Sequence, residues 1–133
     1  MKITYISGLL LVLTVLLSCK KEEEAPTDNK ATISFWQDFE TSQNLLMGND
    51  FGNIKVYIDG ILAGTYLINN YAAIEPPCGN GQFVHIVELG SAQSKSVQFD
   101  LRYADNQSNN YIVFQNGIIE VSAGGCFSKK VEY

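Results

Sequence analysis

Val97-Gln98-Phe99-Asp100-Leu101-Arg102-Tyr103 alternates apolar and polar side chains without a break. Successive side chains of an extended chain point to opposite faces, so this pattern makes a strand with one buried face and one wet face. A helix would scatter the same residues around its surface. Working outward, Ile54-Lys55-Val56-Tyr57-Ile58-Asp59 has the same period. Asp59-Gly60 then supplies two residues that tolerate positive φ, and the run from Ile61 to Leu67 returns as the second arm of a hairpin. Thr32 to Asp38 reads as a first strand, and Phe127 to Tyr133 alternates again and closes the chain. Gln82 to Leu89 is apolar on both faces, which predicts a strand buried on both sides or lying at a sheet interface. Tyr111 to Ser122 is strand-like throughout. Within it, Asn116-Gly117 is either a hairpin turn or a bulge in one long strand, and the bulge is the preferred reading. Only Thr41 to Met47 fits a helical turn instead. About seven short strands separated by turn residues predict an all-β fold, a small antiparallel β-sandwich over residues 32–133.

Composition agrees. The chain has 133 residues, a length for one domain, with 46% hydrophobic and 17% charged side chains. A domain of about 100 residues buries only a thin core, so a covalent staple helps it. Net charge is -5, and no basic face with interleaved aromatics is present to neutralise phosphates. Nucleic acid is therefore excluded as the expected partner.

The first 31 residues follow a different logic. Lys2 precedes an almost unbroken apolar run from Ile3 to Leu17. At about 15 residues this run suits an export signal better than a bilayer-spanning helix, which needs roughly 20. Leu16-Leu17-Ser18-Cys19 resembles the lipobox of bacterial lipoproteins: an aliphatic residue, a tolerant position, a small residue and a cysteine. The resemblance implies cleavage after Ser18 and lipidation of Cys19, whose acyl chains anchor the protein at about 0.8 kcal/mol per buried methylene. Cleavage would remove Lys2 and no acidic residue, leaving eight basic against fourteen acidic side chains.

Lys20-Lys21-Glu22-Glu23-Glu24 comes next, which is either a solvated tether or something more specific. Cys19, Lys20, Lys21 and the block Glu22 to Glu24 are similar to the start of small Bacteroidota lipoproteins, where such a block resembles a surface-export signal. The resemblance implies an outer-membrane lipoprotein displayed at the cell surface. Residues 19–31 then form a lipidated cysteine and a flexible acidic tether with a random-coil reach on the order of 20 Å.

Two cysteines remain, Cys78 in a Pro-Pro-Cys-Gly loop and Cys126 after Gly124-Gly125. An even number in an exported chain favours a disulfide, with two buried free thiols as the alternative. Ile54 to Gly60 with Gly64 four residues later resembles the opening hairpin of PEGA-type sandwich domains. The order of aromatic strand, Asp-Gly hairpin, Pro-Cys loop and Gly-Gly-Cys is also similar to small Bacteroidota lipoprotein domains. The chain departs from the PEGA pattern after Gly64, with Thr65-Tyr66-Leu67 in place of a Thr-Pro and no Pro-Gly-x-Tyr turn before Val97. The resemblance implies a scaffold or recognition module rather than an activity.

No catalytic constellation or cofactor motif stands out. His85 is the only histidine and reads as a strand residue between Val84 and Ile86. Asp38 with Glu40, and Asn49, Asp50 and Asn53, are acidic or amide-rich stretches without calcium-loop spacing. Asp38, Glu75 and Glu88 are the carboxylates from which a glycoside-hydrolysis pair would have to be assembled. Among aromatics, Tyr57 is expected to face outward with Lys55, and Trp36 to share a face with Ser34 and Asp38. Both are candidates for stacking on a sugar or anchoring an envelope protein. The expected function is a non-enzymatic binding module held to the membrane by lipid. The alternatives are a structural subunit of an envelope complex and a glycan hydrolase.

Overall fold

The computed structural model describes residues 29–48, 52–104 and 110–133. Their elements are β1 (Lys30–Trp36), α1 (Phe39–Gly48), β2 (Asn53–Ile58), β3 (Ile61–Leu67), β4 (Phe83–Glu88), β5 (Ser94–Ala104), β6 (Tyr111–Ser122) and β7 (Cys126–Lys130). The proposed signal, Cys19, Lys20, Lys21, Glu22 to Glu24, Asn49 and Asp50 lie outside the described residues.

Seven strands form a four-stranded sheet, β3-β2-β5-β6, facing a three-stranded sheet, β4-β1-β7. The alternating stretch from Val97 to Tyr103 sits inside β5, a central strand paired with both β2 and β6. Val97, Phe99 and Leu101 are buried, as the period of two requires. They meet Ile33 and Phe35 from β1 across the core, with the Phe35 and Phe99 ring centroids 5.4 Å apart. Full burial of such side chains contributes about 1.5–3 kcal/mol each. The Asp59-Gly60 turn has positive φ at both residues, 49° and 78°, as a tight hairpin between twisted strands demands.

Three expectations need correction. The sheets are not wholly antiparallel, because β7 runs parallel to β1. Alternation specifies which face a residue takes, and carries no information about a strand's direction or partner. Second, β4 is an edge strand rather than one covered on both sides, and its outward residues Val84 and Ile86 are exposed. Third, Tyr111 to Ser122 is one long strand as expected, but its bulge lies elsewhere. Asn116 and Gly117 pair regularly with Asp100 and Phe99, whereas Leu101 opposes Gln115 and Arg102 opposes Val113, leaving Phe114 as the extra residue. Phe114 packs its ring 5.7 Å from both Tyr103 and Tyr133. Gly117 is needed for another reason: a Cβ there would stand 3.0 Å from the Phe99 ring.

The helix is longer than the turn expected over Thr41 to Met47, and it closes one end of the sandwich. Leu45 is fully buried, the Ser42 hydroxyl donates to the Ile68 carbonyl at 2.7 Å, and the Thr41 hydroxyl donates to the Val131 carbonyl at 3.3 Å. Gln37, fully buried beside it, donates from its side-chain amide to the carbonyls of Ile68 and Asn70 and accepts from the Tyr66 hydroxyl at 3.4 Å. At the opposite end, the Asn29 carbonyl accepts from the Leu89 amide at 2.8 Å, and Lys30 pairs with Glu88. Strand β1 thus begins two residues earlier than the sequence suggested.

Cys78 and Cys126 form a disulfide, with 5.9 Å between their Cα atoms. It draws the connection ahead of β4 toward the start of β7, on the other side of β1. That connection crosses the outer face of β1 as a strap, with the Gly81 amide donating to the Ser34 hydroxyl at 3.0 Å. Ser34 is buried although it faces away from the core.

Candidate functional site

Strands β3 and β4 form neighbouring edges of the two sheets. Near Gly64 the edges are closed: a Cβ on Gly64 would stand 2.7 Å from the Phe83 ring, and Phe83 stacks on Tyr66 with centroids 6.3 Å apart. Toward the Asp59-Gly60 turn they diverge and leave a cavity of about 380 Å³, open on one side. That volume lies within the usual range for a small-molecule site, roughly 300–1,000 Å³.

The lining is mostly aliphatic. Ile61 opposes Ile58 across the hairpin and therefore shares its core-facing side. Ile58 is buried, yet Ile61 is 73% exposed although it stands on the same side. Val56 pairs with Gly64 and Tyr57 with Leu62, so Ala63 is the extra residue of a second bulge. Ala63 and Leu62 line the cavity from the four-stranded sheet, and His85, Ile86 and Val87 line it from β4. Leu62 is 48% and Ile86 50% exposed, so the mouth is rimmed with apolar surface in water. Covering such groups is favourable, at about 25 cal/mol per Å² removed from water, and a contiguous patch of them marks a contact surface.

Charged groups at the rim are mutually neutralised. Lys95 donates to Asp59 at 2.8 Å, and the Asp59 carboxylate also accepts from the Gln98 amide at 2.9 Å. These two hydrogen bonds, that from Lys95 foremost, hold the Asp59 carboxyl below the usual carboxylate range. Glu88 pairs with Lys30 at 3.4 Å. His85 is the remaining polar side chain of the lining, and its imidazole makes no hydrogen bond among the described residues.

The residues proposed from sequence are distributed differently. Tyr57 faces outward on the four-stranded sheet, with the Arg102 guanidinium 4.0 Å above its ring centroid. Trp36 lies on the outer side of the three-stranded sheet, with the Lys130 ammonium 5.7 Å from its ring centroid. The two aromatics therefore decorate opposite faces and form no common platform. Asp38 caps α1, accepting from the Thr41 amide at 2.8 Å and pairing with Lys130 at 2.6 Å. It lies at the far end of β1 from Glu88, so these two carboxylates do not meet, and Glu75 is exposed in the connection ahead of β4. No group of three His, Cys, Asp or Glu side chains is placed to hold a metal ion among the described residues.

Sequence reasoning missed the cavity. The available signal was the hairpin arm Ile61-Leu62-Ala63-Gly64, which carries no charged residue although an edge strand normally does. Among the described residues, no helix is long and apolar enough to cross a membrane. No protein-family model matches the sequence, and no curated protein or solved structure matches it significantly.

Proposed function

We propose that the chain is an outer-membrane lipoprotein, anchored through Cys19 and displayed at the cell surface, whose sandwich is a non-enzymatic binding module. The cavity between β3 and β4 carries the binding part of this reading: it is concave, mostly aliphatic and rimmed by compensated charges. Such a site favours burial of an apolar group and offers no arranged acid and base. The anchoring part rests on the lipobox-like Leu16 to Cys19 and the Lys-Lys-Glu-Glu-Glu block after it. A second reading, a structural subunit of an envelope complex, draws support from β6, an edge strand whose Ile118 is 70% exposed. The glycan hydrolase has least support, since Asp38 is engaged in capping and pairing.

Cells expressing the full-length chain are labelled with an acyl-chain probe and treated intact with protease. Label on the wild type, none on Cys19→Ala, and digestion from outside are the expected results. Label persisting on Cys19→Ala overturns the anchor, and label with full protection overturns surface display. Crosslinking that recovers one stoichiometric envelope protein favours the structural subunit instead.

A further inference from the structure

The binding reading leaves the ligand open, and the position of the cavity narrows it. Chain enters the domain beside the cavity: the Asn29 carbonyl accepts from the Leu89 amide at 2.8 Å, and Lys30 is ion-paired at 3.4 Å with Glu88, a lining residue. With Cys19 in a bilayer, the chain would run from the lipid into this end of the domain. Helix α1 caps the other end of the sandwich, so the cavity and its aliphatic rim lie at the end where the chain enters the domain.

We propose that this cavity accommodates a single acyl chain of an amphiphile. The inference rests on the lipid-anchor reading for its choice of ligand, and on geometry for the site. Ile61 stands on the core face yet is largely exposed, so an inserted hydrocarbon chain completes the packing that the two sheets leave unfinished at this corner. The rim explains the preference for an amphiphile over a fully apolar ligand. Lys95, Asp59 and His85 surround the apolar lining and meet a polar head without requiring either sign of charge. An extended peptide added to the β4 edge is the competing occupant. It would need side chains alternating into the cavity, whereas Phe83 blocks the edge after a short distance by closing on Gly64.

The test uses the full-length chain carrying Cys19→Ala, so that no acyl chain of its own competes, titrated calorimetrically with laurate and with lauroylglycerol below their micelle thresholds. Saturable one-to-one binding of both is expected. Ile61→Asp and Ile86→Asp, each at an exposed position, should weaken it at least tenfold, and Ile118→Asp on the far edge should leave it unchanged. Absence of saturable binding overturns the proposal, as does equal binding by the rim variants. The lipidated wild type identifies the source of the chain. Binding equal to that of Cys19→Ala means the cavity takes lipid from outside. Loss of binding in the wild type means its own anchor chain occupies the site, and either result upholds the acyl-chain assignment. The two readings fail separately: an unlabelled wild type with intact laurate binding refutes the anchor alone, and a labelled one without laurate binding by Cys19→Ala refutes the cavity alone.

Discussion

Gln37 follows Ile33 and Phe35 on the core-facing side of the chain, where a further aliphatic residue would be the simple choice. Its amide instead donates to the carbonyls of Ile68 and Asn70 in the turn after β3, sharing the first with the Ser42 hydroxyl, and its oxygen accepts from the buried Tyr66 hydroxyl. Replacing it with Leu keeps the approximate volume but leaves the buried Tyr66 hydroxyl without its acceptor. The expected cost is about 1–3 kcal/mol, seen as a lower urea midpoint at unchanged slope. Asp38 makes a pH-dependent contribution. Hydrogen bonds from the Lys130 ammonium, foremost, and from the Thr41 amide hold its carboxyl down to about 2. A depressed carboxylate stabilises the fold above its unfolded value of about 4, and that contribution fades as pH falls toward 2. Asp38→Ala should therefore cost about 1 kcal/mol at neutral pH, the usual worth of a helix cap, with the gap to wild type closing in acid. Thermal unfolding of both proteins across that range measures it. A gap independent of pH would show that the carboxylate charge contributes nothing.

Among the elements, the strap over β1 is the least forgiving. A Cβ on Gly81 would fall 2.3 Å from the Phe35 carbonyl oxygen, backbone that cannot yield without moving the central strand. Gly81→Ala is expected to cost about 1–3 kcal/mol, or more if the strap lifts away. By contrast, Gly52→Ala, which meets nothing within 4 Å, should stay within about 0.5 kcal/mol of wild type. Chemical denaturation of both variants decides it. The strands differ in how far they could be read in advance. The arms of the Asp59-Gly60 hairpin and β5 were legible because alternating burial is written into a few consecutive residues. For β4 the same reasoning misleads, since Val84 and Ile86 are apolar yet exposed. Whether an apolar face is covered depends on residues far away in the chain, and so does the parallel pairing of β7 with β1. The cavity was illegible for the same reason: it is a gap between residues 61–63 and 85–88, defined by how two sheet edges diverge. The cysteine pair was legible by counting alone, whereas Trp36 and Tyr57 were read as outward-facing without any sign that they occupy opposite faces.

At the scale of the whole molecule, the disulfide spans 48 residues and binds the surroundings of β4 to the start of β7. In the chain-entropy account a loop of that length is worth roughly 4 kcal/mol, or on the order of 15–30 °C in melting temperature for a domain this small. Cys78→Ser should show that loss under oxidising conditions, and reductant should bring wild type to the same value. Equal melting of mutant and oxidised wild type would mean that strap and sheet hold without the bond. Strand β1 lies between β4 and β7, so the first of the described strands is flanked by two that follow it much later in the sequence. A growing polypeptide therefore has no partner for Ile33 and Phe35 in the three-stranded sheet until residue 83 has appeared, and lacks the second until residue 126. Assembly of this sheet waits until residues 126–130 have been made, which makes it slow by topology and leaves β1 without its sheet partners during the interval.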